Sequence, residues 1–276
     1  MDITYDRLVV LTWLGLVGIA AAQVVSPVQS PARPYSLSID APVQLAGSDA
    51  AAAAFQANVL PGMISAEQKL LPEYRNESAQ YLASISFDVS KLVLSTDTVA
   101  RMYFLGEGAG YQNTLGISTT NSGPLSPGAS LVFPNASSSV GFGGSGTPVR
   151  SVGEPLLPGD FVNLGTLKAG TALDFFLIAN GASNGTQVLS TNKSLNSDGI
   201  IHAVALATPG SPYLVITFED MVGGGDHDYN DVYFAVDLGS ANVAKIMGLG
   251  APEPSLALGV LLAGGGLFGF SRRRRG

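Results

Sequence analysis

Residues 213–238 read YLVITFEDMVGGGDHDYNDVYFAVDL. Two apolar runs, 213–218 and 232–238, have strand length and are rich in β-branched and aromatic residues, and a polar, glycine-broken segment lies between them. That pattern predicts two strands joined by an acidic loop. Upstream, 99–105, 161–167, 172–179 and 200–207 read as further strands. Ile85, Phe87 and Val89 alternate with Ser84, Ser86, Asp88 and Ser90, which predicts a strand with one wet face. The Gly-, Ser- and Pro-rich stretch 121–148 shows no apolar period and reads as loop. Short strands punctuated by turn residues point to an all-β fold, an antiparallel β-sandwich of the jelly-roll kind over residues 81–240.

Residues 23–80 read as an elaboration in front of that sandwich. Pro27, Pro31, Pro34 and Pro42 keep 24–42 extended. Asp49 then stands as an N-cap before an alanine-rich helix over 50–60, ended by Pro61-Gly62, and a second short helix over 65–71 is stopped by Pro72. Residues 241–251 form a linker.

Composition narrows the chemistry. The 276 residues hold no Cys and 2 His, which removes disulfides, thiolate catalysis, cysteine zinc sites and His-based triads. Hydrophobic residues make up 46% and charged residues 13%, the balance of a packed core under an uncharged polar surface. Residues 23–251 carry 9 Lys and Arg against 18 Asp and Glu. Nucleic acid is therefore no partner, since phosphate binding needs the opposite sign, and cations are the natural ligands.

In so lightly charged a chain the loop is conspicuous. Glu219, Asp220, Asp226, Asp228, Asn230 and Asp231 fall within 13 residues. Packed carboxylates repel one another, and a bound dication offsets that repulsion while satisfying their lone pairs. Ca²⁺ suits an oxygen-only donor set in flexible geometry. Asp226-x-Asp228-x-Asn230 repeats the first three side-chain positions of an EF-hand loop, yet Asp231 stands where that loop needs glycine, Asp237 where it needs Glu, and the flanks are strands. The other reading is a solvated acidic turn held by Asx hydrogen bonds. A second Gly-rich segment, 104–116, places Glu107 at a strand end and Asn113 at the start of the next; it reads either as reaching the same cation site or as an ordinary Gly-rich hairpin.

Both ends carry targeting signals. Residues 1–22 combine Arg7, an apolar run and Ala20-Ala21-Ala22, the form of a secretory signal peptide, the other reading being a permanent N-terminal anchor because Asp2 and Asp6 dilute the positive start. At 252–276, Pro252-Glu253-Pro254 precedes an apolar stretch and Arg272–Arg275. The apolar part spans roughly 24 Å as a helix, so a transmembrane helix with a cytoplasmic C-terminus is expected. This order resembles the PEP-CTERM sorting signal. The resemblance implies a Gram-negative host, processing by signal peptidase and exosortase, transient anchoring in the inner membrane, cleavage near Pro252 and delivery to the outer surface or extracellular matrix.

Residues 107–116, 172–181 and the acidic segment from Phe218 to Asp231 are similar to the domain-of-unknown-function 4114 family. The likeness extends over about 84–238 and implies a β-rich extracellular domain of bacterial surface and matrix proteins. Three functions follow: a non-enzymatic, calcium-binding surface or biofilm-matrix protein; a calcium-dependent lectin-like domain gripping exopolysaccharide with Tyr111, Tyr213 or Tyr229; and a glycoside hydrolase. The last needs two carboxylates across a cleft, whereas these crowd one glycine loop.

Overall fold

The computed structural model describes residues 28–249 apart from 90, 91, 121 and 145. The expected signal peptide and the PEP-CTERM-like tail with its expected transmembrane helix lie outside the described residues. Among the described residues no helix is long and apolar enough to cross a membrane.

Antiparallel strands dominate. One sheet has the order β5-β2-β10-β9-β8, formed by β2 (Thr98–Glu107), β5 (Phe161–Leu167), β8 (Ala203–Ala207), β9 (Tyr213–Phe218) and β10 (Val232–Asp237). The other runs β1-β6-β3-β4, from β1 (Leu92–Val93), β3 (Thr114–Ser118), β4 (Ala129–Phe133) and β6 (Ala172–Ala179), with β7 (Gln187–Ser190) pairing further along β6. Strand partners are set by the hydrophobic pattern. Phe104, Phe218 and Phe234 of the first sheet share one core with Phe133 and Phe175 of the second. The Phe175–Phe234 and Phe104–Phe133 ring centroids lie 5.4 and 6.0 Å apart, the spacing at which tilted aromatic pairs attract.

The outer face of the first sheet is also covered. Helices α1 (Ala50–Asn58) and α2 (Leu60–Leu70) pack on it, and Phe55 stacks on Tyr103 at 3.8 Å. With both faces buried, β10 is apolar along nearly its whole length instead of alternating. Tyr233 lies flat over its register partner Gly106, where a β-carbon would meet the Tyr233 hydroxyl at 2.3 Å, so only glycine fits beneath that ring.

Several expectations are corrected. Pro61 does not end the first helix; α1 stops at Asn58 and Pro61 sits in the first turn of α2, where its missing N–H costs nothing. Residues 84–90 do not open the sandwich as a strand. Ser78 caps α3 (Ala79–Ile85) by accepting from Tyr81 N at 3.1 Å, and Leu82 and Ile85, three apart on one helix face, pack with Leu71, Val204 and Leu206. The stretch 121–148 is not all loop, for β4 lies within it and pairs with β3. The leader is not extended throughout, since Pro34–Ser36 form a 3-10 turn with Tyr35 and Ser36 at positive φ. Beyond the turn it runs beside β4, with Asp40 N and Leu131 N each hydrogen-bonded across at 2.8 Å. It thereby covers a strand edge that would otherwise stay open. After β10, α4 (Ser240–Ile246) occupies part of the expected linker, and Asn242 ties it to residues 95–96.

Candidate metal centre

The 13 residues between β9 and β10 turn at one end of the first sheet. Glu219 and Asp220 leave β9 as Asp231 enters β10, so pairing of the two strands sets these three side by side. Asp220 N donates to Asp231 Oδ2 at 2.7 Å. The loop then folds back through residues with positive φ, including Gly225 at 48° and His227 at 63°. A β-carbon on Gly225 would stand 2.0 Å from Glu219 Oε1, so the absence of a side chain there lets the Glu219 carboxylate lie against the loop.

The result is two overlapping groups. Carboxylate oxygens of Glu219, Asp220 and Asp231 lie within 4.8 Å of one another, and so do those of Glu219, Asp226 and Asp228. Asp226 is exposed, whereas Glu219 has 1% of its surface exposed and Asp220 and Asp228 are buried. Neighbouring elements hold the groups in place. Asn113 Nδ2 donates to Asp220 Oδ2 at 2.7 Å, and Tyr74 N donates to Asp228 Oδ2 at 2.8 Å. Buried His202 places Nε2 2.9 Å from Asp198 Oδ2, which also accepts from Gly223 N at 2.8 Å, so the loop is braced from the segment that precedes β8.

Glu107 ends β2 close by. Its Oε1 accepts from Ser138 N at 2.8 Å, and its oxygens belong to neither carboxylate group. Asn230 Nδ2 donates to Leu71 O at 3.5 Å, just past the end of α2. A β-carbon on Gly108 would meet Asn230 Oδ1 at 2.6 Å and Glu73 Oε2 at 3.1 Å, so both oxygens border this glycine. Sequence reasoning missed Glu73, Tyr74 and His202; nothing local marked them, because Tyr74 and Asp228 meet from 154 positions apart.

Electrostatics set this cluster apart. Burial first, then the neighbouring carboxylates, pushes Glu219, Asp220 and Asp231 up from the ordinary carboxylate range. Burial pushes Glu107 up to about 8, against the opposing Ser138 hydrogen bond. Glu219 Oε2 and Glu107 Oε2 are buried without a hydrogen-bond partner. Basic side chains are engaged elsewhere: Arg75 with Glu77, Arg101 with Asp49, Arg150 with Asp160 and Lys168 with Asp97. A cavity of about 420 Å³ opens over the cluster, lined by Glu73, Tyr74, Tyr111, Glu219, Asp226 and Asp228 among others.

Residues 167–239 match the family described as domain of unknown function (DUF4114). Over this segment the chain is similar to the DUF4114 family. Neither curated proteins nor solved structures gave a match. The DUF4114 match is narrower than the resemblance read over 84–238. It takes in β6 to β10 and the whole acidic loop, while Glu73, Glu107 and Asn113 approach from outside it. A DUF4114 segment thus supplies the five grouped carboxylates, and the preceding half of the chain closes around them.

Proposed function

We propose that this protein is a non-enzymatic, calcium-binding component of a bacterial cell surface or biofilm matrix, secreted through its signal peptide and sorted by an exosortase acting on the PEP-CTERM-like tail. One observation carries the calcium reading. Glu219 is buried with an oxygen that lacks any partner, at the junction of five carboxylates that no lysine or arginine ion pair reaches among the described residues. Burying such a group is costly unless a cation joins it, and an oxygen-only donor set suits Ca²⁺. The two antiparallel sheets over a common core are read as a jelly-roll-like sandwich that holds the site at one end. Extracellular calcium is abundant enough to fill even a site of ~10⁻⁴–10⁻³ M affinity.

A lectin-like reading stands second, favoured by the cavity wall. Tyr74 and Tyr111, 83% and 41% exposed, face it beside the acidic residues and offer a sugar ring two aromatic surfaces. Tyr213 and Tyr229 do not serve. Tyr213 packs edge-on against Phe55, and Tyr229 is buried with its hydroxyl donating to Ile201 O at 3.1 Å. Against a glycoside hydrolase, the carboxylates crowd one another instead of facing across a cleft.

Thermal denaturation of the purified protein with calcium and with chelator tests the proposal. Free calcium at a hundred times Kd stabilises the fold by about 2.7 kcal/mol, a rise in Tm of about 5–10 °C. Asp228→Ala removes most of that rise and Asp40→Ala leaves it. Equal melting temperatures with and without calcium would refute the site. A glycan array probed in both conditions separates the two readings.

A further inference from the structure

We infer that the acidic loop holds two divalent cations side by side, bridged by Glu219, and that the outer cation ties the segment after α2 to the sandwich through Glu73. This rests on the calcium reading above and extends it from one ion to two and from the loop to a second part of the chain.

Geometry is the first argument. Calcium bonds its oxygens at about 2.3–2.6 Å, so oxygens sharing one ion lie within about 5 Å of each other. The five carboxylates do not form one group of that size. They form two, Glu219 with Asp220 and Asp231, and Glu219 with Asp226 and Asp228. Glu219 alone belongs to both. A carboxylate has two oxygens and several lone pairs, enough to contact an ion on either side. That its Oε2 is buried and unpartnered is a separate observation, and it points at the same place.

Charge supplies the second argument. One dication leaves three of the five negative charges uncompensated in a largely buried site, and two dications leave one. No basic side chain forms an ion pair with the cluster among the described residues.

The outer position is the one formed by Asp226 and Asp228, since Asp226 is exposed and its group opens to the cavity. Here the segment at 71–77 leans on the loop. Tyr74 N donates to Asp228 Oδ2 at 2.8 Å, Glu77 N to His227 O at 2.9 Å, and Asn230 Nδ2 to Leu71 O at 3.5 Å. Glu73 sits between these contacts. Its Oε2 is buried without a hydrogen-bond partner, and its side chain lines the cavity shared with Asp226 and Asp228 without belonging to either carboxylate group. Without a cation, Glu73 adds a further negative charge to a site already crowded with them. With one in the outer position, the same carboxylate becomes a ligand and the segment is held down.

Calcium alone is the probe, added to the full chain after chelation and dialysis. Native mass spectrometry and equilibrium dialysis should count two calcium ions per chain. Glu73→Gln, a change at a partly exposed position, should weaken one of the two by at least tenfold and spare the other. Glu219→Gln should leave at most one. In hydrogen–deuterium exchange, calcium should slow the amides of residues 71–77, and Glu73→Gln should abolish most of that slowing. One ion per chain, with Glu73→Gln binding as the parent does, overturns the inference and leaves the single-calcium reading intact. No calcium at all overturns both. Two ions unaffected by Glu73→Gln overturn the tie to the helical segment.

Discussion

The Asn113 side-chain amide donates to Asp220 Oδ2 at 2.7 Å while its own oxygen accepts from Asn180 N at 2.9 Å. One fully buried amide thus joins the turn before β3, the turn after β6 and the acidic loop. Its amide holds Asp220 from the turn before β3, so the site borrows order from the opposite sheet.

Asn113→Asp replaces that donor by a carboxylate. A hydrogen bond to a charged partner is lost and a like charge is brought against Asp220, with an expected cost of about 2–3 kcal/mol in calcium-free protein. Calcium offsets part of the new repulsion, so the calcium-dependent rise in Tm should exceed that of the parent. Thermal denaturation of both proteins with calcium and with chelator checks it. A smaller rise would mean that Asn113 is needed to shape the site.

Much of this was legible locally and little of it across distance. The apolar runs of β2, β5, β6, β9 and β10 stand out because strands buried on a core must be hydrophobic. Where a run was short the pattern misled. Ser84-Ile85-Ser86-Phe87 alternates like a strand, yet the Ser78 cap and the spacing of Leu82 and Ile85 make residues 79–85 a helix. At Ala129–Phe133 the strand is only five residues within a Ser- and Gly-rich stretch, too short to show a period. The acidic loop was readable because strand pairing brings Glu219, Asp220 and Asp231 together from adjacent positions. Glu73 was not, since its approach to the loop depends on how α2 lies over the sheet.

Glu67 lies on the buried face of α2 with 1% of its surface exposed, and neither carboxylate oxygen has a hydrogen-bond partner. Burial first, then Asp228 and Glu73, pushes it up to about 9, so it is protonated at neutral pH. Glu67→Met keeps the volume and removes an unsatisfied polar group. The fold should gain about 1–2 kcal/mol in urea denaturation at pH 7, with calcium stoichiometry unchanged. A loss of stability would show that Glu67 has a bonding role.

Arg150 supports the loop before β5. Asp160 is fully buried and accepts from Ala46 N at 2.9 Å, Leu157 N at 2.8 Å and Arg150 Nη2 at 2.9 Å, with a further contact from Arg150 Nη1. Arg150→Ala leaves a buried carboxylate with backbone donors only. Allowing for the partial exposure of Arg150, the expected loss is about 2–3 kcal/mol in urea denaturation. Arg150→Lys should recover only part, because an ammonium cannot form the two-pronged contact. If both variants match the parent, the backbone donors suffice.

The cluster should also set how stability varies with pH. In calcium-free protein Glu107 is raised to about 8 and Glu219, Asp220 and Asp231 are raised too, with burial the first cause in each. Between the unfolded carboxylate range near 4 and the raised folded values, the folded state holds protons that the unfolded chain has released. Stability from these groups is therefore fully present below about pH 4 and is lost as pH rises through the folded values, at up to about 1.4 kcal/mol per pH unit for each proton of difference. Calcium reverses the requirement, because ligating carboxylates must be ionised and binding releases their protons. The calcium-free Tm should fall from pH 5 to pH 8 while the calcium-saturated Tm stays nearly level, so the gap between the curves widens with pH. Glu107→Gln should shallow the calcium-free slope by removing one of the contributing protons. Parallel curves across that range would mean that the buried carboxylates titrate without feeling the cation.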